Sequence, residues 1–249
     1  MIVAILVLFF TVVLSGFLVK AFPPSNSKWL KLALSFSGAY LFSITIIHLL
    51  PDMLLEANNP YLVGYWVLAG FFLQLILELF SQGVEHGHMH KHQHNEATGI
   101  PFLLLCSLFV HSFLEGSILV DVRSSAHGHS HAGGGFSLVL LGVALHHVPA
   151  AFALMSVLLS RWHNFKKAFL WLLIFAVGSP LGIIVGNTLL AQEPASSPLY
   201  IALTGLVAGN FLHISTTILF ESSPDHHFNR NKLVATILGL ALAIMSDFI

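Results

Sequence analysis

Charge is what this 249-residue chain has least of: Asp, Glu, Lys and Arg together make up 8% of it. A soluble domain runs at about 25%, so there is too little charge to coat a water-facing globule of this size. That excludes an ordinary soluble enzyme or binding module. Ten Lys and Arg against eleven Asp and Glu leave a net charge of −1. No basic surface is available to neutralise phosphates, which excludes a nucleic-acid binder. The single cysteine, Cys106, excludes an internal disulfide and any multi-cysteine zinc site.

What is abundant is apolar residues, 56% of the chain, and histidine, 16 in all and more than Lys and Arg together. A helix that crosses a bilayer needs about 20 mostly apolar residues. Such stretches recur eight times: 1–19, 29–50, 61–80, 100–120, 136–159, 168–190, 199–220 and 233–249. Backbone polar groups in lipid must be satisfied within their own segment, so each stretch is expected to be helical. The expected fold class is an all-α polytopic membrane protein, with residues 1–249 forming a single transmembrane domain. No basic residue precedes the first stretch, whereas a secretory leader has a positive n-region. It is therefore read as a true span.

Basic residues in short loops set orientation. One side receives nine: Lys20, Lys28, Lys31, Lys91, Arg161, Lys166, Lys167, Arg230 and Lys232; the other receives Arg123 alone. The nine are placed in the cytosol, which puts both termini outside. The loop at 81–99 is then cytosolic and carries His86, His88, His90, His92 and His94. The loop at 121–135 is external and carries His127, His129 and His131 before three glycines. Imidazole is the commonest biological metal ligand, so these tracts read as metal capture or sensing. A solvated low-complexity loop is the competing reading.

Ionisable residues inside spans are costly and mark function. The fourth span carries His111 and Glu115, four residues apart and so on one helix face. The fifth carries His146 and His147, with Pro149 expected to weaken the helix beside them. Imidazole and carboxylate without thiolate suit zinc, iron or manganese. The expected metal ligands are His111, Glu115 and His146. Adjacent helical residues point about 100° apart, so His147 either takes a second position or bonds a neighbouring helix. His48 and Asp52 end the second span as a candidate metal-entry pair or as a polar pair that stops the helix. His213, with Asn210, Ser215, Thr216 and Thr217, makes a polar stripe on span seven, read mainly as interhelical hydrogen bonding and secondarily as an ion contact. Glu78 is expected to reach the interface. Glu221, His226 and His227 follow span seven as a candidate exit cluster or a solvated loop. In span six, Pro180 is expected to break the helix, while Gly182 and Gly186 permit close packing.

These residues resemble the ZIP (Zrt/Irt-like) family of divalent-metal transporters over nearly the whole chain. His111-Ser112-x-x-Glu115-Gly116 is similar to the span-four signature and is the most specific of the matching motifs. His48-Leu49-Leu50-Pro51-Asp52, His146-x-x-Pro149, Ser179-Pro180-Leu181-Gly182 and Gly209-Asn210-Phe211-Leu212 are similar to the motifs of spans two, five, six and seven. The resemblance implies eight transmembrane helices in a 3+2+3 bundle, inverted repeats around spans four and five. It implies that spans one, four, five and six move against the others and carry zinc, iron or manganese toward the cytosol. Zinc or another divalent transition metal would be transported substrate, with no cofactor and a homodimer as a candidate assembly. Many bacterial members hold a second metal. At the positions that supply it, this chain has Ser112, His147, Ala150 and Ser179, which implies one main site. Fewer hard oxygens favour zinc over manganese.

Three other functions are open on the sequence. A metal sensor or non-transporting homologue fits the missing acids. An efflux transporter shares the same residues. An intramembrane metalloenzyme would need histidine boxes or a HExxH stretch, and the chain has neither. The membrane is expected to be a plasma membrane or a bacterial inner membrane.

Overall fold

The computed structural model describes residues 1–22, 27–81, 102–120, 134–190, 192–220 and 230–246. Helices account for almost all of them: α1 (Ile2–Ala21), α2 (Ser27–Ile44), a π-helical turn (Thr45–Leu49), α3 (Leu50–Glu56), α4 (Pro60–Ser81), α5 (Phe102–Ser117), α6 (Gly134–Trp162), α7 (Phe165–Leu190), α8 (Pro198–Phe220) and α9 (Arg230–Ser246). The segment from α2 through α3 is one continuous rod, so the described residues form eight rods. Six are long and apolar enough to cross a membrane: α1, the α2–α3 rod, α4, α6, α7 and α8. Helix α5 is apolar but shorter, 16 residues, or about 24 Å at 1.5 Å per residue. The protein is a multi-pass, all-helical membrane protein.

Local chemistry sets the helix ends. Phe22 is extended (φ −120°, ψ 104°) and ends α1, as a residue before proline must be. Helices α4 and α8 open on Pro60 and Pro198, a position where the missing N–H costs nothing. Asn59 Oδ1 accepts from the Tyr61 amide at 3.1 Å, and Ser197 Oγ accepts from the Tyr200 amide at 3.1 Å. Asn164 Oδ1 caps α7 in the same way through the Lys167 amide.

The break expected at Pro180 is corrected, and Pro149 does not interrupt its helix either. Helices α6 and α7 run unbroken through Pro149 and Pro180. Neighbouring helices and small local adjustments satisfy the freed backbone in a packed membrane bundle. The register change comes elsewhere. Pro51 has no N–H for the Ile47 carbonyl, and the turn just before it widens, with the Leu50 amide bonding the Thr45 carbonyl.

The rods pack as two groups. Helix α5 lies along α7, and α1 lies along α6 and α7; α4 lies along α8, and α2 along α9 and α8. Exchanging the first three rods with the last three, and α5 with α6, turns the α1–α6 contact into α7–α5, and α2–α9 into α8–α4. This is the pattern that inverted repeats produce.

Glycine makes both groups tight. A methyl group on Gly116, Gly182 or Gly186 of the α5–α7 seam would meet the backbone carbonyls of Ser179, Phe113 and Ser117. On Gly70 or Gly209 it would meet the carbonyls of Leu206 and Val67 in the α4–α8 seam. Between the groups, α4 meets α5, and α2 meets α6, where Gly142 packs against the side chains of Tyr40, Leu41 and Ile44. There the buried Tyr40 hydroxyl donates to the Leu138 carbonyl at 3.3 Å.

Candidate metal centre

Helix α5 presents His111 and Glu115 from one face, and α6 presents His146 and His147 toward them. All four side chains are buried, Glu115, His146 and His147 completely. One ligand atom from each of His111, Glu115 and His146 lies within 4.8 Å of the other two. Ligands on a tetrahedral zinc stand about 3.3 Å apart, given bonds of about 2.0–2.1 Å. The widest pair would therefore tighten by up to about 1.5 Å to close on one zinc ion.

The polar atoms of this cluster are unevenly committed. His147 Nε2 lies 2.8 Å from Glu115 Oε2. Glu115 Oε1 and His111 Nε2 face each other at 3.4 Å, and neither has a hydrogen-bond partner. A buried polar atom without a partner is costly, and these two atoms have lone pairs that a cation could use. The rings of His111 and His146 stand edge to face, centroids 6.1 Å apart. From α8, Asn210 Nδ2 approaches His111 Nδ1 at 3.3 Å.

His147 is thus drawn to the carboxylate, the second of the two roles open to it. Ser112 and Ser179 do not face an ion but each other, with hydroxyls 2.7 Å apart. The Ser179 hydroxyl donates to the Ser112 carbonyl at 2.9 Å, so the hydroxyl–hydroxyl bond is donated by Ser112. Ala150 is buried and offers no ligand.

The other sequence-derived residues lie apart from this centre. His48 sits in the π-helical turn, half-buried, and Asp52 is exposed on α3. His213 on α8 pairs with Glu78 on α4, Nε2 to Oε2 at 2.6 Å. His213 thus bonds a side chain of a neighbouring helix. Glu78, expected to reach the interface, is partly exposed near the end of α4 and meets this partner there. His86, His88, His90, His92, His94, His127, His129, His131, Glu221, His226 and His227 lie outside the described residues. Sequence reasoning missed Gln74, which is buried at 1% exposure. Its position four residues before Glu78, on the same face of α4, was the available signal.

The model of the family described as ZIP zinc transporter matches residues 85–246, well over half of the chain. The chain belongs to the ZIP family. Similar proteins agree with this. One is the zinc transporter YKE4 of Saccharomyces cerevisiae, 24% identical over 89% of this chain and 72% of the yeast protein. Another is the zinc transporter ZupT of Chlorobium phaeovibrioides, 25% identical over 89% of this chain and 88% of the bacterial one. Protein zntD of Dictyostelium discoideum is 27% identical over 66% of this chain, but the match takes in only 24% of that longer protein. The ZIP match covers α5 through α9, and so includes His111, Glu115, His146, Ser179 and Asn210.

Proposed function

We propose that this protein carries divalent transition-metal ions, zinc foremost, across its membrane toward the cytosol. One observation carries the proposal: two imidazoles and a carboxylate, all buried, offer ligand atoms within 4.8 Å of one another, a gap that a modest tightening would close on one ion. Named zinc transporters among its relatives support the choice of cargo. The donor set of two nitrogens and one carboxylate supports zinc over manganese.

Alternating access is the proposed mechanism. The α5, α6 and α7 group with α1 holds the ion, and the α2–α3, α4, α8 and α9 group forms the frame it moves against. Glycines bring backbone against backbone within each group, whereas Gly142 between the groups meets only side chains, which supports sliding of one body past the other. In this orientation, His127, His129 and His131 gather metal outside with help from His48 and Asp52. Glu221, His226, His227 and the histidines of loop 81–99 receive it inside. Binding must strip hydration yet permit release, and proton competition for the ligands assists release.

The test is radioactive zinc uptake into proteoliposomes by the wild type, Glu115→Ala and His146→Ala, with unlabelled iron and manganese as competitors. Saturable uptake that both substitutions abolish supports transport through this centre, and the competition ranks the metals. A folded wild type that binds zinc but moves none would make the protein a sensor or silent homologue, the reading that Ser112, Ala150 and Ser179 favour.

A further inference from the structure

Asn210 belongs to α8, in the frame, yet its side chain reaches the candidate ligand His111 on α5. It is 1% exposed. One end of its amide lies 3.3 Å from His111 Nδ1, and its Oδ1 has no hydrogen-bond partner. The opposite ring nitrogen, Nε2, faces Glu115 Oε1 at 3.4 Å. His111 therefore stands between a carboxylate that shares its prospective ion and an amide from the other helix group.

We infer that Asn210 is a positioning residue that sets the tautomer of His111 and thereby the affinity and release of the transported metal. A neutral imidazole that ligates through Nε2 must carry its proton on Nδ1. That N–H needs an acceptor, and in metal sites such partners fix ring orientation and basicity. Asn210 supplies one when its Oδ1 faces the ring. When its Nδ2 faces the ring instead, it donates to a bare Nδ1, and the ring proton moves to Nε2, toward Glu115. That second arrangement is the one seen here, with Nδ2 facing the ring and Nε2 aimed at Glu115 Oε1. An amide serves both states because its two ends nearly superimpose. A carboxylate serves only the loaded one, and an alkyl group serves neither. Because Asn210 sits in the frame, this bond also ties the state of the site to the position of α5 against α8. The inference rests on His111, Glu115 and His146 being the transport site.

The test compares the wild type, Asn210→Leu, Asn210→Asp and Glu115→Ala, full-length in detergent. Zinc affinity is read by titration calorimetry and ligand geometry by the absorption of bound cobalt. Asn210→Leu is expected to weaken zinc about 10–100-fold, as loss of an outer partner does, with the metal-free melting temperature close to wild type. Asn210→Asp is expected to bind zinc at least as tightly as wild type with an unchanged cobalt spectrum, yet to lower maximal uptake. Zinc affinity of Asn210→Leu within about threefold of wild type overturns the inference, as that is below the effect of losing an outer partner. So does an Asn210→Asp protein as weak as Asn210→Leu, because the residue would then act by packing. If Asn210→Leu does not fold, Asn210→Asp decides alone: retained affinity with slowed uptake supports the inference, and lost affinity overturns it. Glu115→Ala separates the two levels. If it binds zinc like the wild type, the site itself is wrong; if it loses zinc while Asn210→Leu keeps it, only the role of Asn210 falls.

Discussion

His147 Nε2 lies 2.8 Å from Glu115 Oε2, with both side chains completely buried. Adjacent histidines on one helix point about 100° apart, and here they divide the work. His146 turns to the cluster shared with His111 and Glu115, while His147 donates to one carboxylate oxygen and leaves the other, Oε1, toward His111 Nε2. Ligating carboxylates are commonly held in this way. The carboxylate would otherwise be buried with one more unmet acceptor, which is costly in a low-dielectric interior.

His147→Ala should therefore weaken zinc without removing a ligand. About a tenfold rise in the KM for zinc uptake is expected, at the lower end of what loss of an outer partner costs. His147→Gln, whose amide can still donate to Glu115, should recover most of it. Equal and complete loss in both variants, with a changed cobalt spectrum, would show that His147 touches the ion.

The glycine seams predict a sharp contrast between two Gly→Ala substitutions. Around Gly64 on α4 nothing lies within 4 Å of an added methyl group. Gly64→Ala should raise thermal stability slightly, by about 0.5–1 kcal/mol from helix propensity. At Gly186 the methyl group would strike the Ser117 carbonyl, so α5 and α7 must part. Gly186→Ala should lower the melting temperature in detergent and reduce uptake by shifting Glu115, which lies on the same short helix. Stability of Gly186→Ala at or above that of Gly64→Ala would contradict the packing described for this seam.

The Glu78–His213 pair joins α4 to α8, with Phe71 edge-on to the imidazole at 4.7 Å. Either single substitution removes this bond. His213→Leu and Glu78→Leu should each destabilise the protein, by about 2 kcal/mol for loss of a hydrogen bond to a charged group. The double substitution should regain part of that loss. Chemical denaturation of the four proteins gives the cycle. Additive losses would mean that the two side chains act independently.

Much of this architecture was legible from composition and spacing. Long apolar stretches located the rods, because a bilayer demands internally bonded backbone of a fixed length. The spacing of His111 and Glu115 placed them on one face, since a helix returns after about 3.6 residues. The prolines misled. Pro149 and Pro180 suggested breaks, but packing on both sides keeps α6 and α7 helical, while Pro51 widened the turn before it without a separate sequence signal. The pairings that hold the centre were legible least. Glu78 with His213 is 135 residues apart, Asn210 with His111 is 99 apart, and Ser112 with Ser179 is 67 apart. Local periodicity carries no information about which helix a polar face will meet.

The Ser112–Ser179 pair bears on how many ions the protein holds. Its hydroxyls bond each other at 2.7 Å and return a second bond to the Ser112 carbonyl. Both hydroxyl protons are thereby committed, and no carboxylate stands at 150 or 179 to offset a second dication. Two divalent ions beside a single glutamate would leave a large uncompensated charge in a buried site, which is strongly unfavourable. One zinc per chain is therefore the expected stoichiometry, measurable by equilibrium dialysis on protein treated to remove adventitious metal at the loop histidines. Ser179→Ala should leave that number unchanged and cost only about 0.6 kcal/mol of stability, the average for an interhelical hydrogen bond in a membrane. Two tightly held ions, both lost in Glu115→Ala, would mean that the serines or backbone carbonyls open to a second metal. The bond between α5 and α7 would then be a property of the empty state alone.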